Sequence, residues 1–88
     1  MSISPNPFSY GTYISYELKE KGRVNISGYS ISGKKVKTLI NSSGMPSDSG
    51  KIYWDGRNHD GNALPAGTYI FRMTLEDKLV EAEKVVKK

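Results

Sequence analysis

The sequence predicts an all-β fold: two sheets packed face to face as a sandwich of about seven short strands. Three observations predict it. Apolar and polar residues alternate with period two in Thr12–Leu18 and again in Thr68–Leu75, the pattern of half-buried strands. Gly- and Pro-bearing turns break the chain at short, regular intervals. The 88 residues include no Cys, so the domain must be held by its apolar core and its hydrogen bonds. Strands at this spacing, with no long helical pattern between them, belong to sandwiches.

Each element follows from its own residues. In the first strand Ile14, Tyr16 and Leu18 share one face, and Tyr13, Ser15 and Glu17 the other. Lys19-Glu20-Lys21-Gly22 turns the chain. Arg23 to Ile31 is the next strand, with Val24 and Ile26 on its apolar face. Gly28 continues that face without a side chain, which points to a bulge or a close backbone approach. Ser32-Gly33 reads as a two-residue hairpin turn, with Gly33 supplying positive φ. Lys34 to Ile40 is a strand with a basic outer face. Asn41 to Gly50 is rich in Ser and Gly and reads as a loop. Lys51 to Asp55 is a short strand carrying the single Trp, Trp54.

Arg57 to Ala66 reads as a shaped corner. Asp60-Gly61 is a turn dipeptide. Leu64-Pro65-Ala66-Gly67 fits a type I turn, with Pro65 second and Gly67 fourth. Trp54 and Tyr69 stand where the strands on either side enter the core. Beyond the corner, Tyr69, Phe71, Met73 and Leu75 make one face of a strand, and Thr68, Ile70, Arg72 and Thr74 the other. Leu79 to Lys88 is ambiguous. Propensity favours a helix over Glu81-Ala82-Glu83-Lys84, but a strand gives the preceding strands an edge partner, and strand is the expectation.

Composition narrows the function classes. The net charge is +4, and thirteen residues are basic. Ten of those are Lys, spread along the chain with groups at Lys34-Lys35-Lys37 and Lys84-Lys87-Lys88. A nucleic-acid reader concentrates Arg and stacking aromatics on one element, so no nucleic-acid partner is expected. No apolar run approaches the length of a membrane span, so membrane insertion is not expected. The first residues lack the regions of a signal peptide. If the native protein is exported, a signal upstream of Met1 is expected.

The motifs resemble a known family. Asn6-Pro7-Phe8 resembles its entry motif, within a lead-in over residues 1–10 that carries Pro5-Asn6-Pro7. Val24 and Ile26, then Tyr29, Ile31, Gly33, Val36 and Leu39, resemble its central hairpin. Trp54-Asp55-Gly56, Asp60-Gly61, Pro65 and Gly67 with Tyr69 resemble its second half. Together they resemble the immunoglobulin-like domain of the flagellar hook-capping protein, and equally the related C-terminal modules of large secreted bacterial proteins. Some of those are sorting domains for type IX secretion, which end in a short Lys-rich strand similar to Lys84–Lys88. Gly28 departs from the family, which usually has an aliphatic residue there, and the loop at 41–50 is unusually rich in Ser.

The resemblance implies an immunoglobulin- or fibronectin-III-like β-sandwich over residues 1–88, as the C-terminal piece of a larger exported bacterial protein. It implies sorting or attachment at the cell surface, and partners in the secretion or attachment machinery or in a neighbouring domain. Lys34, Lys35, Lys37, Lys84, Lys87 and Lys88 are the candidate contacts. Removing Val85–Lys88 is expected to abolish export and leave most of the fold. A hook-capping scaffold and a spacer beside a catalytic domain are the alternatives.

Sharper chemistry finds less support. Asp55, Asn58, Asp60 and Asn62 crowd one turn, but an EF-hand alignment puts Gly56 at the first ligand position. Capping of turn amides by Asp55, Asn58 and Asp60 explains them better, and no metal or cofactor is expected. His59 is the only His. A dyad with Ser47 or Ser49 lacks a nucleophile elbow, so no catalytic residue is assigned and no enzyme activity is expected. Glu81 and Glu83 read as solvated edge charges. A carbohydrate-binding role is the remaining rival, with Tyr13 and Tyr53 as candidate polysaccharide contacts on an outer face.

Overall fold

The structure is a computed structural model that describes residues 1–45 and 49–88. It is all-β among those residues. The strands are β1 (Ser2–Ser4), β2 (Thr12–Glu17), β3 (Gly22–Ser30), β4 (Lys35–Met45), β5 (Ser49–Trp54), β6 (Gly67–Leu75) and β7 (Lys78–Lys87). One sheet has the order β1-β2-β5 and the other β4-β3-β6-β7. Every pairing between strands is antiparallel. The segment before Lys88 is therefore a strand, as its register with β6 requires.

Alternation places the core as the sequence predicts. Ile14, Leu18 and Trp54 face inward from the first sheet and meet Val24, Ile26, Val36, Tyr69, Phe71, Met73 and Val85 from the second. Trp54 lies at the centre of the aromatic contacts. Its ring centroid is 4.9 Å from Phe71, 5.4 Å from Phe8 and 5.8 Å from Tyr69. Edge-to-face and tilted pairs at these distances add to what burial alone supplies. Tyr16 is half-buried and lies across Gly50, its cross-strand partner.

Gly28 does what a glycine inside a strand predicts. The β3–β4 register shifts between Ile26 and Ser27 and again between Gly28 and Tyr29. A Cβ on Gly28 would stand 2.7 Å from Cζ of Phe71, so the missing side chain makes room for the buried ring.

Four expectations change. The sequence reading did not name β1, which pairs with β2 through Ser2, Ile3 and Ser4; three residues ahead of a Pro leave almost no periodic signal. Of the loop expected over 41–50, residues 41–45 and 49–50 are strand and 46–48 lie outside the described residues. β4 continues to Met45 and β5 begins at Ser49, because Asn41 and Ser42 pair with Asn25 and Val24. The β3–β4 turn has three residues, not two. Ser30 N–H donates to Lys34 O at 2.8 Å and Gly33 N–H to Ser30 O at 2.9 Å. Gly33 has φ of 91°, the left-handed residue that ends a three-residue hairpin loop. Ile31 consequently lies in the turn and is exposed. Finally, Leu64–Gly67 is a bend whose carbonyls are taken by side chains, not by the backbone bond of a type I turn. Lys87 Nζ donates to Leu64 O at 2.7 Å, and the Tyr69 hydroxyl to Pro65 O at 2.6 Å.

Candidate functional site

Residues 55–66 carry the chain from β5 in one sheet to β6 in the other, so the motif corner is the hinge of the sandwich. It is built from local bonds. Trp54 Nε1 donates to Arg57 O at 3.0 Å, which fixes the indole as the strand ends. Arg57 N–H donates to Asp55 Oδ1 at 3.0 Å. Asn58 Oδ1 accepts from Asp60 N–H and Asn62 N–H, both at 3.0 Å. Asp55 and Asn58 thus cap turn amides, while Asp60 contributes its N–H. Among the described residues no group of three or more His, Cys, Asp or Glu side chains is placed to hold a metal ion.

This corner repeats the chemistry of the β3–β4 turn. Asn58 N–H donates to Asn62 O at 2.9 Å and Gly61 N–H to Asn58 O at 3.0 Å, with Gly61 at φ of 86°. The two turns lie together, because His59 N–H donates to Val36 O at 3.2 Å. His59 is thereby tied to β4 through its backbone. Ser49 is at the opposite end of β5 from the corner, paired with Glu17. Ser47 lies outside the described residues.

Gly56 shows why the Trp54-Asp55-Gly56 motif needs its glycine. Its φ is 77°, and an added Cβ would meet Lys87 Cε at 2.8 Å and Phe8 Cε2 at 3.2 Å. The stem of Lys87 therefore crosses the corner backbone before its ammonium reaches Leu64 O. The entry motif closes on the same place. Asn6 Nδ2 donates to Lys84 O and Asn6 Oδ1 accepts from Val86 N–H, both at 2.9 Å. Phe8 N–H donates to Val86 O at 2.9 Å, and Lys88 N–H to Phe8 O at 2.8 Å. Phe8 itself is 1% exposed against Trp54. The lead-in is thus a strap along the outer edge of β7. The Asn6-Pro7-Phe8, Trp54-Asp55-Gly56 and C-terminal segments form one assembly.

Tyr69 belongs to that assembly. Burial raises its hydroxyl above the ordinary tyrosine value, which keeps it protonated as the donor to Pro65 O.

The candidate contacts separate into different roles. Tyr13 and Tyr53 are exposed and face each other across β2 and β5, with centroids 5.2 Å apart and planes at 58°. Tyr53 also covers Gly11, and Lys51 Nζ stands 5.5 Å from the Tyr13 ring centre. These rings are packed on each other and on the sheet, and they form no flat platform.

Lys34, Lys35 and Lys37 lie at or beside the β4 edge of the four-stranded sheet, and Lys84, Lys87 and Lys88 at its β7 edge. Lys87 is committed to Leu64 O within the fold. The two groups of lysines are joined by residues that sequence reasoning did not select. By register, Lys35 faces Tyr29, Tyr29 faces Ile70, and Ile70 faces Lys84. Arg72 stands in the next row, between Ser27 and Ala82. The alternation of β6 already put Ile70 and Arg72 on the outer face, and that was the available signal.

Comparison with known proteins agrees with this architecture. The family model described as "Secretion system C-terminal sorting domain" matches residues 2–88. No curated protein matches the sequence. Among solved structures, FlgD from P. aeruginosa is similar at a TM-score of 0.64 and 24% identity, over 96% of this chain and 70% of that one. PorZ, an essential surface component of the type-IX secretion system of Porphyromonas gingivalis, is similar at 0.62 and 15% identity, over 99% of this chain and 11% of that one. FlgD from Xanthomonas campestris, described in connection with hook capping, is similar at 0.62 and 23% identity, over 92% of this chain and 58% of that one. Likenesses at these identities establish the shared sandwich fold.

Proposed function

The chain belongs to the secretion system C-terminal sorting domains, and from that premise we propose that it marks a larger exported protein for the type IX route to the cell surface or medium. The observation that carries the reading is the family match over residues 2–88. The likeness to PorZ supports the choice of system through fold alone. The work proposed is recognition without chemistry of its own. A rigid sandwich presents fixed side chains to the export machinery, at little entropic cost on binding.

Within that reading the exposed lysines are the proposed contacts, with one exception. Lys34, Lys35, Lys84 and Lys88 are exposed and Lys37 half-exposed, whereas Lys87 acts inside the fold. Polysaccharide is not proposed as a partner, because Tyr13 and Tyr53 are tilted against each other.

The test places the chain at the C terminus of a periplasmic reporter in a bacterium with a working type IX system. Reporter in the medium or on the surface, lost when the system is inactivated, is the expected result. Reporter that stays in the periplasm with an intact, folded tail overturns the reading.

A further inference from the structure

We propose that the outer face of the four-stranded sheet, centred on Tyr29 and Arg72, is a docking surface for a carboxylate-bearing face of an export-machinery protein. This inference rests on the sorting role and names the surface and the partner chemistry.

The face is a register-built array. Lys35, Tyr29, Ile70 and Lys84 form one row across β4, β3, β6 and β7, and Arg72 rises beside them. The Arg72 guanidinium carbon is 5.6 Å from the Tyr29 ring centre, and Lys35 Nζ is 6.0 Å from it. Two cations, Arg72 from central β6 and Lys35 from the edge strand β4, are therefore held over one ring on central β3. Arg and Tyr at the centre with Lys at the rim is the usual composition of a protein interface. A planar guanidinium already held in place pairs with a carboxylate through two parallel bonds.

Among the described residues no ion pair engages Lys35, Arg72 or Lys84. Glu81 and Glu83 of β7 pair with Met73 and Phe71, so they take the opposite side of the strand from Ala82 and Lys84. The ion pairs join Met1 to Glu81, Arg23 to Asp77 and Arg57 to Asp55, all elsewhere. Both edges of this sheet are guarded against strand addition. Asn6 and Phe8 occupy the β7 edge, while register shifts break β4 and His59 bonds its start. A partner therefore approaches the face, not an edge.

The reporter fusion tests this with charge reversals. Arg72→Glu or Lys84→Glu is expected to lower export by at least about tenfold. Lys51→Glu makes the same charge change on the other sheet and is expected to leave export near wild type. Unfolding midpoints of the three variants establish that each is folded; Lys84 is exposed, and K84E decides the matter if R72E does not fold. Equal loss in all three variants, or export of folded R72E and K84E at the wild-type level, overturns the proposal. A wild-type fusion that is not exported removes the sorting role instead. Vesicles of phosphatidylcholine and phosphatidylglycerol supply the second arm. Co-sedimentation of the wild-type chain that R72E abolishes would assign the face to anionic lipid and overturn the protein partner.

Discussion

The side-chain amide of Asn6 grips the backbone of β7 on both sides of Val85, giving a hydrogen bond to Lys84 O and taking one from Val86 N–H, each 2.9 Å long. An amide can do this because it offers a donor and an acceptor at the spacing of a peptide group. The side chain thus stands in for a short piece of neighbouring strand. Asn6→Ala is expected to cost about 1–2 kcal/mol in denaturant unfolding, from two solvent-accessible bonds. Asn6→Asp keeps the acceptor but turns a carboxylate oxygen against the Lys84 carbonyl, and this repulsion should make it at least as destabilising near neutral pH. Unchanged stability in both would mean that the Asn6 clamp contributes nothing.

Gly28→Ala tests the close approach to Phe71. The new methyl carbon meets a fully buried ring at 2.7 Å. Overpacking of this kind costs about 1–3 kcal/mol. Because the strain lies between two side chains, Gly28→Ala combined with Phe71→Leu should be less destabilised than the sum of the two single changes. Strict additivity in thermal unfolding would place the cost in the β3 backbone instead.

Tyr69 gives a pH signature. Burial raises its hydroxyl, so the folded-state pKa lies above the unfolded one, near 10. Its contribution is then fully present below about pH 10 and is lost as the pH rises through the folded value. Tyr69→Phe removes the bond to Pro65 O, at a cost of about 1 kcal/mol at neutral pH. It also removes that alkaline loss. The wild-type advantage over Y69F, measured by urea unfolding, should therefore be constant to about pH 9 and shrink beyond pH 10. An advantage that grows with pH would contradict the assignment.

What the sequence revealed follows from the range of each signal. Period-two alternation is local, so Ile14, Phe71 and Met73 were placed in the core by inspection. Gly28 was legible because a glycine inside a strand needs a local reason. Asn6 was legible as a motif but not as a clamp, since its partners lie at Lys84 and Val86, at the other end of the chain. Asn41 and Ser42 read as loop because their pairing with β3 is stabilised by a neighbour and not by their own propensity. The same limit hid the docking face. Arg72 was on an outward position in the sequence and Lys84 was a candidate contact, but only the β3-β6-β7 register puts them in one array with Tyr29.

Lys87 illustrates how a charged tail residue can be structural. Its stem lies over Gly56 and its ammonium bonds Leu64 O. Lys87→Met retains the stem and should cost about 1 kcal/mol; Lys87→Ala loses the packing too and should cost more. Equal effects of the two would mean that the stem packing is without consequence. Export of a folded K87M fusion should match wild type, since this ammonium is not offered to a partner.

Removal of Val85–Lys88 carries the last prediction, and it reverses the expectation that most of the fold survives. Val85 is fully buried, and burial of such a side chain contributes about 1.5–3 kcal/mol. The deletion also removes the Lys87 bond to Leu64 O, the Asn6 and Phe8 bonds to Val86, and the Lys88 bond to Phe8 O. At about 0.5–1.5 kcal/mol for each bond, the combined loss is comparable to the net stability of a small domain, on the order of 5 kcal/mol. The truncated chain should therefore lose its dispersed amide spectrum and become protease-sensitive. Val85→Ala, with a cost of about 2 kcal/mol, should remain folded with a lower midpoint. A truncated chain with a native spectrum would show that the tail is detachable. If it unfolds as expected, loss of export on truncation reports the sandwich as a whole, and Lys84→Glu, which keeps the strand, is the variant that reports on recognition.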